Sequence, residues 1–433
     1  MAGEDQLQLF VEEICCDLCR FIHIVDDDLA SDDVQVRREV AIGPPGAFAD
    51  IHVRATGRPA YFVEIKIGYP EDRLVRQLLR KYDEEASADP RTPTIDAERL
   101  VLLTRPEDYA DWASLVATLE AGLRPGLTLE VWDEAHFLRL LRERFGIAVE
   151  TLKGADLEKV RTAVEEAKWR LVFGDTEADG ALRSSLLWHF SPWALHRLHA
   201  HQGLAPHEIL RPGLYRGLAV VLADLCAFSS YVRDTRDDAL IRRCLATFYS
   251  QARHTIHNCG GMLYQFVGDE VVGVFGYPFG VGDAVDRALA CARALLDVGT
   301  SVSHHWQREI DRVQRSAGVH VGMALGDLNL VPLRPYSTAH HGFVGDGLNI
   351  AARLMSAASC GQIVCSNTFF NRLPAAERAH FAAVDALEAK NIGMISCWRA
   401  AGHEPTSSTD AFEAIAVADN SRALPKAKRW GQR

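Results

Sequence analysis

Three short stretches in the second half of the chain carry residues able to do chemistry on a phosphate ester. The first is Leu218–Leu222, an apolar run that ends in Asp224 and then turns through Leu225, Cys226, Ala227, Phe228 and Ser229. The second is Gly260 to Phe275, two apolar stretches split by Gly268-Asp269, a tight-turn signal between hairpin strands. Alone, each aspartate reads as a turn residue. If the strands are neighbours, the two carboxylates converge, and with backbone carbonyls they form an oxygen-rich site suited to Mg²⁺ or Mn²⁺. The third stretch is Gly345 to Leu354, in which Asn349 and Arg353 stand four residues apart, on one side of a helix. An amide beside a guanidinium can stabilise charge developing on a transferring phosphoryl group. A fourth constellation lies near the N-terminus. Asp50 sits in one strand candidate and Glu64-Ile-Lys66 in the next, followed by a helix carrying Gln77 and Tyr82.

The elements that must position these groups follow from hydrophobic period. Residues 1–150 alternate helix and strand signals. Gln6–Phe21 has helical spacing, a polar loop follows, Phe48–Val53 and Ala60–Ile67 read as strands, and Leu74, Val75, Leu78, Leu79 and Tyr82 share one helical face. Leu100–Thr104 and Leu127–Trp132 are further short strands, so an α/β domain is expected. Residues 151–212 read as a helical linker: Leu157–Val172 is a charged amphipathic helix, and a second helix places Leu187, Phe190, Ala194 and Leu198 on one stripe. The histidines at 189, 196, 199 and 201 read as a surface or interface feature of that helix rather than a metal site. A second α/β pattern occupies 213–402. The segment 403–433 lacks periodicity and is expected to be a disordered tail.

Composition narrows the function. The 433 residues are 48% apolar, with 47 Lys+Arg against 58 Asp+Glu and a formal net charge of −11. Non-specific nucleic-acid coating needs a basic face and is not expected. No run of apolar residues is long enough to span a bilayer. The N-terminus carries acids where a signal peptide carries bases, so a cytoplasmic protein is expected. Ten irregularly spaced cysteines read as reduced thiols, and Cys15-Cys16-x-x-Cys19 as buried helix cysteines without a second ligand pair.

From Gly213 to Ala401 the chain resembles class III nucleotidyl cyclases. The strand-Asp224-x-x-x-Phe228 turn, the Gly268-Asp269 hairpin, the Ala317–Asp327 stretch, Asn349-x-x-x-Arg353 and the ending Ala389-Lys390-Asn391 stand in family order. The resemblance implies a ferredoxin-like core with a β-hairpin. It also implies two Mn²⁺ or Mg²⁺ ions held by Asp224 and Asp269 with the Leu225 carbonyl, one activating a ribose 3′-hydroxyl and the other neutralising the leaving pyrophosphate. The backbone around Phe228 and Ser229 would cradle the β and γ phosphates, Asn349 would orient the ribose, and Arg353 would stabilise the pentavalent transition state. Lys390 would reach the triphosphate, although the family glycine after it is Asn391 here. In the family the two aspartates and the Asn/Arg pair of one site come from different subunits, which implies a head-to-tail homodimer with shared active sites.

Two positions depart from the purine-specific pattern. Adenylate cyclases carry Lys four residues before the hairpin aspartate and Asp or Thr seven before the asparagine; guanylate cyclases carry Glu and a small residue. Here these positions hold Gln265 and Gly342. The Gln265 amide can face uracil or, reversed, cytosine. The architecture resembles the pyrimidine cyclases of bacterial Pycsar anti-phage systems. That implies UTP, alternatively CTP, as substrate, cyclic UMP as product and a separate cyclic-nucleotide-responsive effector. The N-terminal domain resembles the PD-(D/E)xK nuclease fold, in which Asp50 and Glu64 would bind metal and Lys66 would orient water. Such a domain would be an active nuclease or a degenerate sensing module, and the acidic net charge weighs against tight DNA binding.

Overall fold

A computed structural model describes residues 2–27, 29–30, 33–42, 47–84, 97–152, 155–177, 179–280, 282–310, 316–334, 340–389 and 393–400. Lys390 and the 403–433 segment lie outside the described residues. The chain is a mixed α/β protein of two compact units, one built on Met1–Ala167 and the other beginning at Lys168.

The first unit opens with α1 (Ala2–Phe21), whose Cys15, Cys16 and Cys19 are buried free thiols. A five-stranded sheet follows in the order β1-β2-β3-β4-β5, formed by Val34–Ala41, Phe48–Ala55, Tyr61–Ile65, Arg99–Leu103 and Thr128–Trp132. The first three strands pair antiparallel and the last three parallel. Parallel pairing needs crossovers, supplied by α2 (Glu71–Tyr82) and α3 (Trp112–Gly122); α4 (Glu134–Phe145) follows β5. Every residue of β3 is buried, as expected of a strand covered on both faces.

Strand β1 falls where the sequence was read as polar loop. Its Arg37 and Arg38 are buried, and Arg38 donates to Glu12 of α1 at 2.6 Å. Two arginines in an eight-residue strand hide its apolar alternation, and Arg38 is tolerated there because a partner distant in sequence neutralises it.

Helix α5 (Ala155–Phe173) contains the boundary between the units. In the second unit, α6 (Gly180–His189) and the short helices Pro192–His196 and Pro206–Ile209 precede β6 (Gly213–Leu225). The continuous helix expected through this region is broken. Phe190 adopts an extended conformation, and Ser191 caps a new helix by accepting from the Ala194 amide. Then come α7 (Phe228–Asp234), α8 (Asp238–Asn258), β7 (Met262–Val267), β8 (Glu270–Phe275) and α9 (Ala284–Ile310). The unit closes with β9 (Val319–Pro332), β10 (His341–Val344), α10 (Asp346–Ala357), β11 (Ile363–Ser366), β12 (Phe381–Ala389) and β13 (Gly393–Ala400).

Its sheet runs β12-β13-β11-β9-β6-β8-β7, with β10 paired to the far end of β9. Central β6 alternates between two cores. Ala219, Val221, Ala223 and Leu225 pack with α8 and α9, whereas Leu218, Val220 and Leu222 pack with α6 and α10. Glycines set how close α10 comes to the sheet. A Cβ on Gly322 of β9 would lie 2.1 Å from the Ala351 carbonyl oxygen and 2.3 Å from the Met355 nitrogen.

Candidate functional site

Asp224 stands near the end of β6, on the face shared with α10, because the alternation that sends Ala223 and Leu225 to one core sends it to the other. Its cross-strand partners are Glu270 on β8 and His320 on β9, so three ionisable residues form a row across the sheet. Asp269 follows Gly268 in the two-residue turn joining β7 to β8; Gly268 has φ +63°, a conformation open to glycine. The turn brings the Asp269 carboxyl within hydrogen-bonding reach of Asp224, and burial together with the Asp224 charge pushes it up to about 7. Glu270 is also raised, by burial and then by Asp224.

Two carboxylates held together with so little compensating charge favour a cation between them. The Asp224 and Asp269 carboxylates are oxygen donors of the kind that Mg²⁺ or Mn²⁺ takes. Nearby basic charge comes from His320, whose Nε2 lies 3.3 Å from Asp224 Oδ2 and whose Nδ1 lies 3.1 Å from the Ala358 carbonyl. Its pKa is raised, first by the hydrogen bond to Asp224. Glu270 and His320 were absent from the sequence-derived site. The signal was the period of two, which places both on the Asp224 face once the register is known.

Beyond Asp224 the backbone turns sharply. Cys226 donates its N–H to the Gly318 carbonyl at 2.9 Å, and Ala227, at φ +58°, precedes the first residue of α7. Phe228 is half-buried, with its ring edge-on to Trp306 at 6.2 Å, while Ser229 is exposed.

Helix α10 buries Gly347, Ala351, Leu354 and Met355 and leaves Asn349 and Arg353 exposed one turn apart. Among the described residues, no hydrogen bond or ion pair joins Asn349 or Arg353 to Asp224 or Asp269.

Gln265 and Gly342 are linked through Tyr264. The pairing of β7 with β8 slips between Leu263 and Gln265, a bulge that sets Gln265 opposite Val272. Val272 belongs to the core under α10, so the bulge returns Gln265 to the face that Tyr264 already occupies. The Tyr264 hydroxyl accepts from the Phe343 N–H at 3.0 Å, and a Cβ on Gly342 would lie 3.4 Å from the same hydroxyl. Gln265 is exposed beside this contact and Gly342 is buried in it.

The N-terminal constellation also assembles, as a closed ion cluster. Lys66 Nζ lies 2.5 Å from Asp50 Oδ2 and 2.6 Å from Glu64 Oε2. Lys81, in the last turn of α2, reaches both Glu64 oxygens at 2.9 Å, and the Tyr82 hydroxyl donates to Glu64 Oε1 at 2.6 Å. Asp50 Oδ2 accepts from the Ile65 N–H at 2.7 Å. Burial pushes Asp50 up to about 6, with Glu64 adding to the shift. Burial would raise Glu64 too, but the charges of Lys66 and then Lys81 outweigh it and hold Glu64 at about 2. Lys81 is a site residue that sequence reasoning missed: Arg73, Arg76 and Arg80 stand on the same helix, and nothing in its spacing sets it apart from them.

Among the linker histidines, His189 is tied to the backbone of β7. His189 Nδ1 donates to the Leu263 carbonyl at 2.7 Å, and burial lowers its pKa. No group of three or more His, Cys, Asp or Glu is arranged to hold a metal ion among the described residues. No helix among the described residues is long and apolar enough to cross a membrane.

No family model matches the chain. Uncharacterized proteins of Mycobacterium tuberculosis strain H37Rv and of Mycobacterium bovis are each 27% identical over 169 residues, covering 38% of this chain. The match covers 29% of each relative, so the chain spans under a third of the length of these proteins. Among solved structures, the guanylyl cyclase Cya2 is 20% identical over 45% of this chain and 96% of its own, with a TM-score of 0.39. The adenylyl cyclase CyaB from P. aeruginosa is 16% identical over 45% and 97%, with a TM-score of 0.38. A bacterial light-regulated adenylyl cyclase is 17% identical over 51% and 63%, with a TM-score of 0.37.

Proposed function

We propose that the second unit is a nucleotidyl cyclase that converts UTP to 3′,5′-cyclic UMP and pyrophosphate. The observation that carries the reading is the approach of Asp224 and Asp269, two carboxylates from a strand end and a hairpin tip. A divalent cation bound there, Mg²⁺ or Mn²⁺, supplies charge neutralisation for the triphosphate and acidifies the ribose 3′-hydroxyl. The 3′-hydroxyl would give its proton to solvent, its oxygen bonding to the α-phosphorus as the bond from that phosphorus to the bridging oxygen of the β-phosphate breaks and pyrophosphate leaves.

Asn349 and Arg353 serve as ribose-orienting and charge-stabilising groups. Both are exposed on α10 with no link to the carboxylates of their own chain, which supports a head-to-tail homodimer in which each site draws on two chains. Past Cys226, whose N–H is taken by Gly318, the turn presents the backbone amides of Ala227, Phe228 and Ser229 to the β and γ phosphates. Lys390 is a further triphosphate contact in this reading. Gln265, returned by the bulge to the side of Tyr264 and Gly342, reads a pyrimidine edge through its amide. The same amide reversed accommodates CTP. The cyclic nucleotide serves as a messenger to a separate effector in anti-phage defence, a role supported by the resemblance to pyrimidine cyclases with an added N-terminal domain.

Incubation with Mn²⁺ and each of the four nucleoside triphosphates tests this. Consumption of UTP with equimolar pyrophosphate and cyclic UMP is the expected result. Cyclic product from ATP or GTP alone refutes the pyrimidine assignment, and no cyclic product from any nucleotide refutes the cyclase.

A further inference from the structure

Two carboxylates on neighbouring strands with a lysine beside them form a framework able to hold a divalent ion and cleave a phosphodiester. In the first unit the residues Asp50, Glu64 and Lys66 form such a framework, and the groups around them do not fit a metal. Glu64 is fully buried, and both of its oxygens already accept from the Lys81 ammonium at 2.9 Å. A chelated metal would have to take this bidentate position. Tyr82 donates to Glu64 Oε1, and Lys66 bridges Glu64 Oε2 to Asp50 Oδ2. Asp50 Oδ1, the remaining oxygen, faces Lys81 at 4.0 Å.

The charge closes as well. Asp50 and Glu64 carry two negative charges and Lys66 and Lys81 two positive ones; of the neighbouring carboxyls, Glu12 is paired with Arg38, and Glu39, pushed up to about 8 by burial and then by Asp50, stays protonated at neutral pH. The side chains of Lys66 and Lys81 are only 3% and 13% exposed. A divalent ion entering this cluster would leave an excess of two positive charges in a buried site, or force an ammonium out of a position it reaches from a packed helix. Helix α2 is held there by Leu74, Leu78 and Tyr82 in the core.

We propose that Lys81 is the resident counter-cation of Asp50 and Glu64, standing in the place of a divalent metal, so that the first unit keeps a nuclease-like framework without metal-dependent phosphodiester hydrolysis. Lys81 thereby determines what the site accepts: a tethered monovalent ammonium in place of a free ion. The first unit is then a structural or binding module, and the chemistry of the chain resides in the second unit.

The test uses the full chain carrying Asp224→Asn and Asp269→Asn, which removes the other carboxylate pair, so the result is independent of whether the second unit is a cyclase. Mn²⁺ binding is followed by loss of the free-ion electron paramagnetic resonance signal. This parent is expected to take up no Mn²⁺ at millimolar concentration and to leave supercoiled plasmid intact. Adding Lys81→Met is expected to create one Mn²⁺ site per chain, and adding Lys81→Arg to create none. Uptake of one Mn²⁺ by the parent that is lost with Asp50→Asn overturns the proposal. So does a folded Lys81→Met protein, judged by circular dichroism, that still binds none. If Lys81→Met fails to fold, the parent titration decides alone.

Discussion

His320 bridges two elements: its Nδ1 lies 3.1 Å from the carbonyl of Ala358, at the end of α10, and its Nε2 lies 3.3 Å from Asp224 Oδ2 on β6. A carbonyl and an ionised carboxylate only accept, so both contacts are hydrogen bonds when the ring carries two protons. The imidazolium thus ties the helix bearing Arg353 to the strand bearing Asp224.

This gives a pH dependence for the metal-free protein. Folded His320 holds its proton to higher pH than the unfolded chain does. Its stabilisation is therefore complete below the ordinary imidazole range and is lost as pH rises through the raised folded value. Melting curves in EDTA should show His320→Gln well below wild type near pH 5.5, about one unit below a typical imidazole pKa, with the gap narrowing by about pH 9, roughly two and a half units above it. A gap that is constant with pH would refute the linkage.

Asp269 has the opposite relation to stability. Its raised pKa means that ionisation at neutral pH works against the folded, metal-free state. Asp269→Asn should therefore raise the melting temperature in EDTA, by on the order of 2–4 °C for a change near 1 kcal/mol. The same variant should lose the stabilisation that Mn²⁺ gives wild type and reduce pyrophosphate release by about 10³-fold, as expected when several kcal/mol of charge stabilisation is removed. Unchanged turnover would take Asp269 out of the site.

Sharing of sites between chains predicts complementation. Asp224→Ala and Arg353→Ala proteins, each inactive alone, should regain activity when mixed, through one intact site per mixed dimer. Subunit exchange shown by fluorescence energy transfer, without recovery of cyclic product, would rule this arrangement out.

Gly322 tests the seating of α10. A methyl group there meets helix backbone at 2.1 Å, which no side-chain rotation relieves. Gly322→Ala should cost about 1–3 kcal/mol, as overpacking does. It should also cut turnover further than Gly342→Ala, where the nearest atom, at 2.8 Å, is the tip of the flexible Leu333 side chain. Equal melting temperatures for the two variants would contradict the packing described.

How much of this was legible in the sequence depends on how far each feature reaches along the chain. The β6 run, the Gly268-Asp269 turn and the Asn349/Arg353 spacing are local signals, and each element formed where its pattern lay. The β1 strand was hidden because Arg38 is neutralised by Glu12, 26 residues away. Glu270 and His320 emerge as neighbours of Asp224 only through register, which no single strand reveals. Lys81 was one base among several on α2 until the fold set it against Glu64. The helix break at Phe190–Pro192 was signalled by Ser191-Pro192, a cap followed by proline, but the apolar stripe masked it.

In the proposed cyclase, the bulge in β7 bears on how recognition of a base can change over generations. Because pairing with Val272 sets which way position 265 faces, exchanging that side chain alters the hydrogen-bonding edge while leaving the strand pairing intact. Loss of the Tyr264 codon would remove the bulge but leave Gln265 opposite Val272, so it would cost the hydroxyl contact to Phe343 and not the facing of position 265. Position 265 thereby keeps its face both when its own side chain is exchanged and when the bulged neighbour is lost.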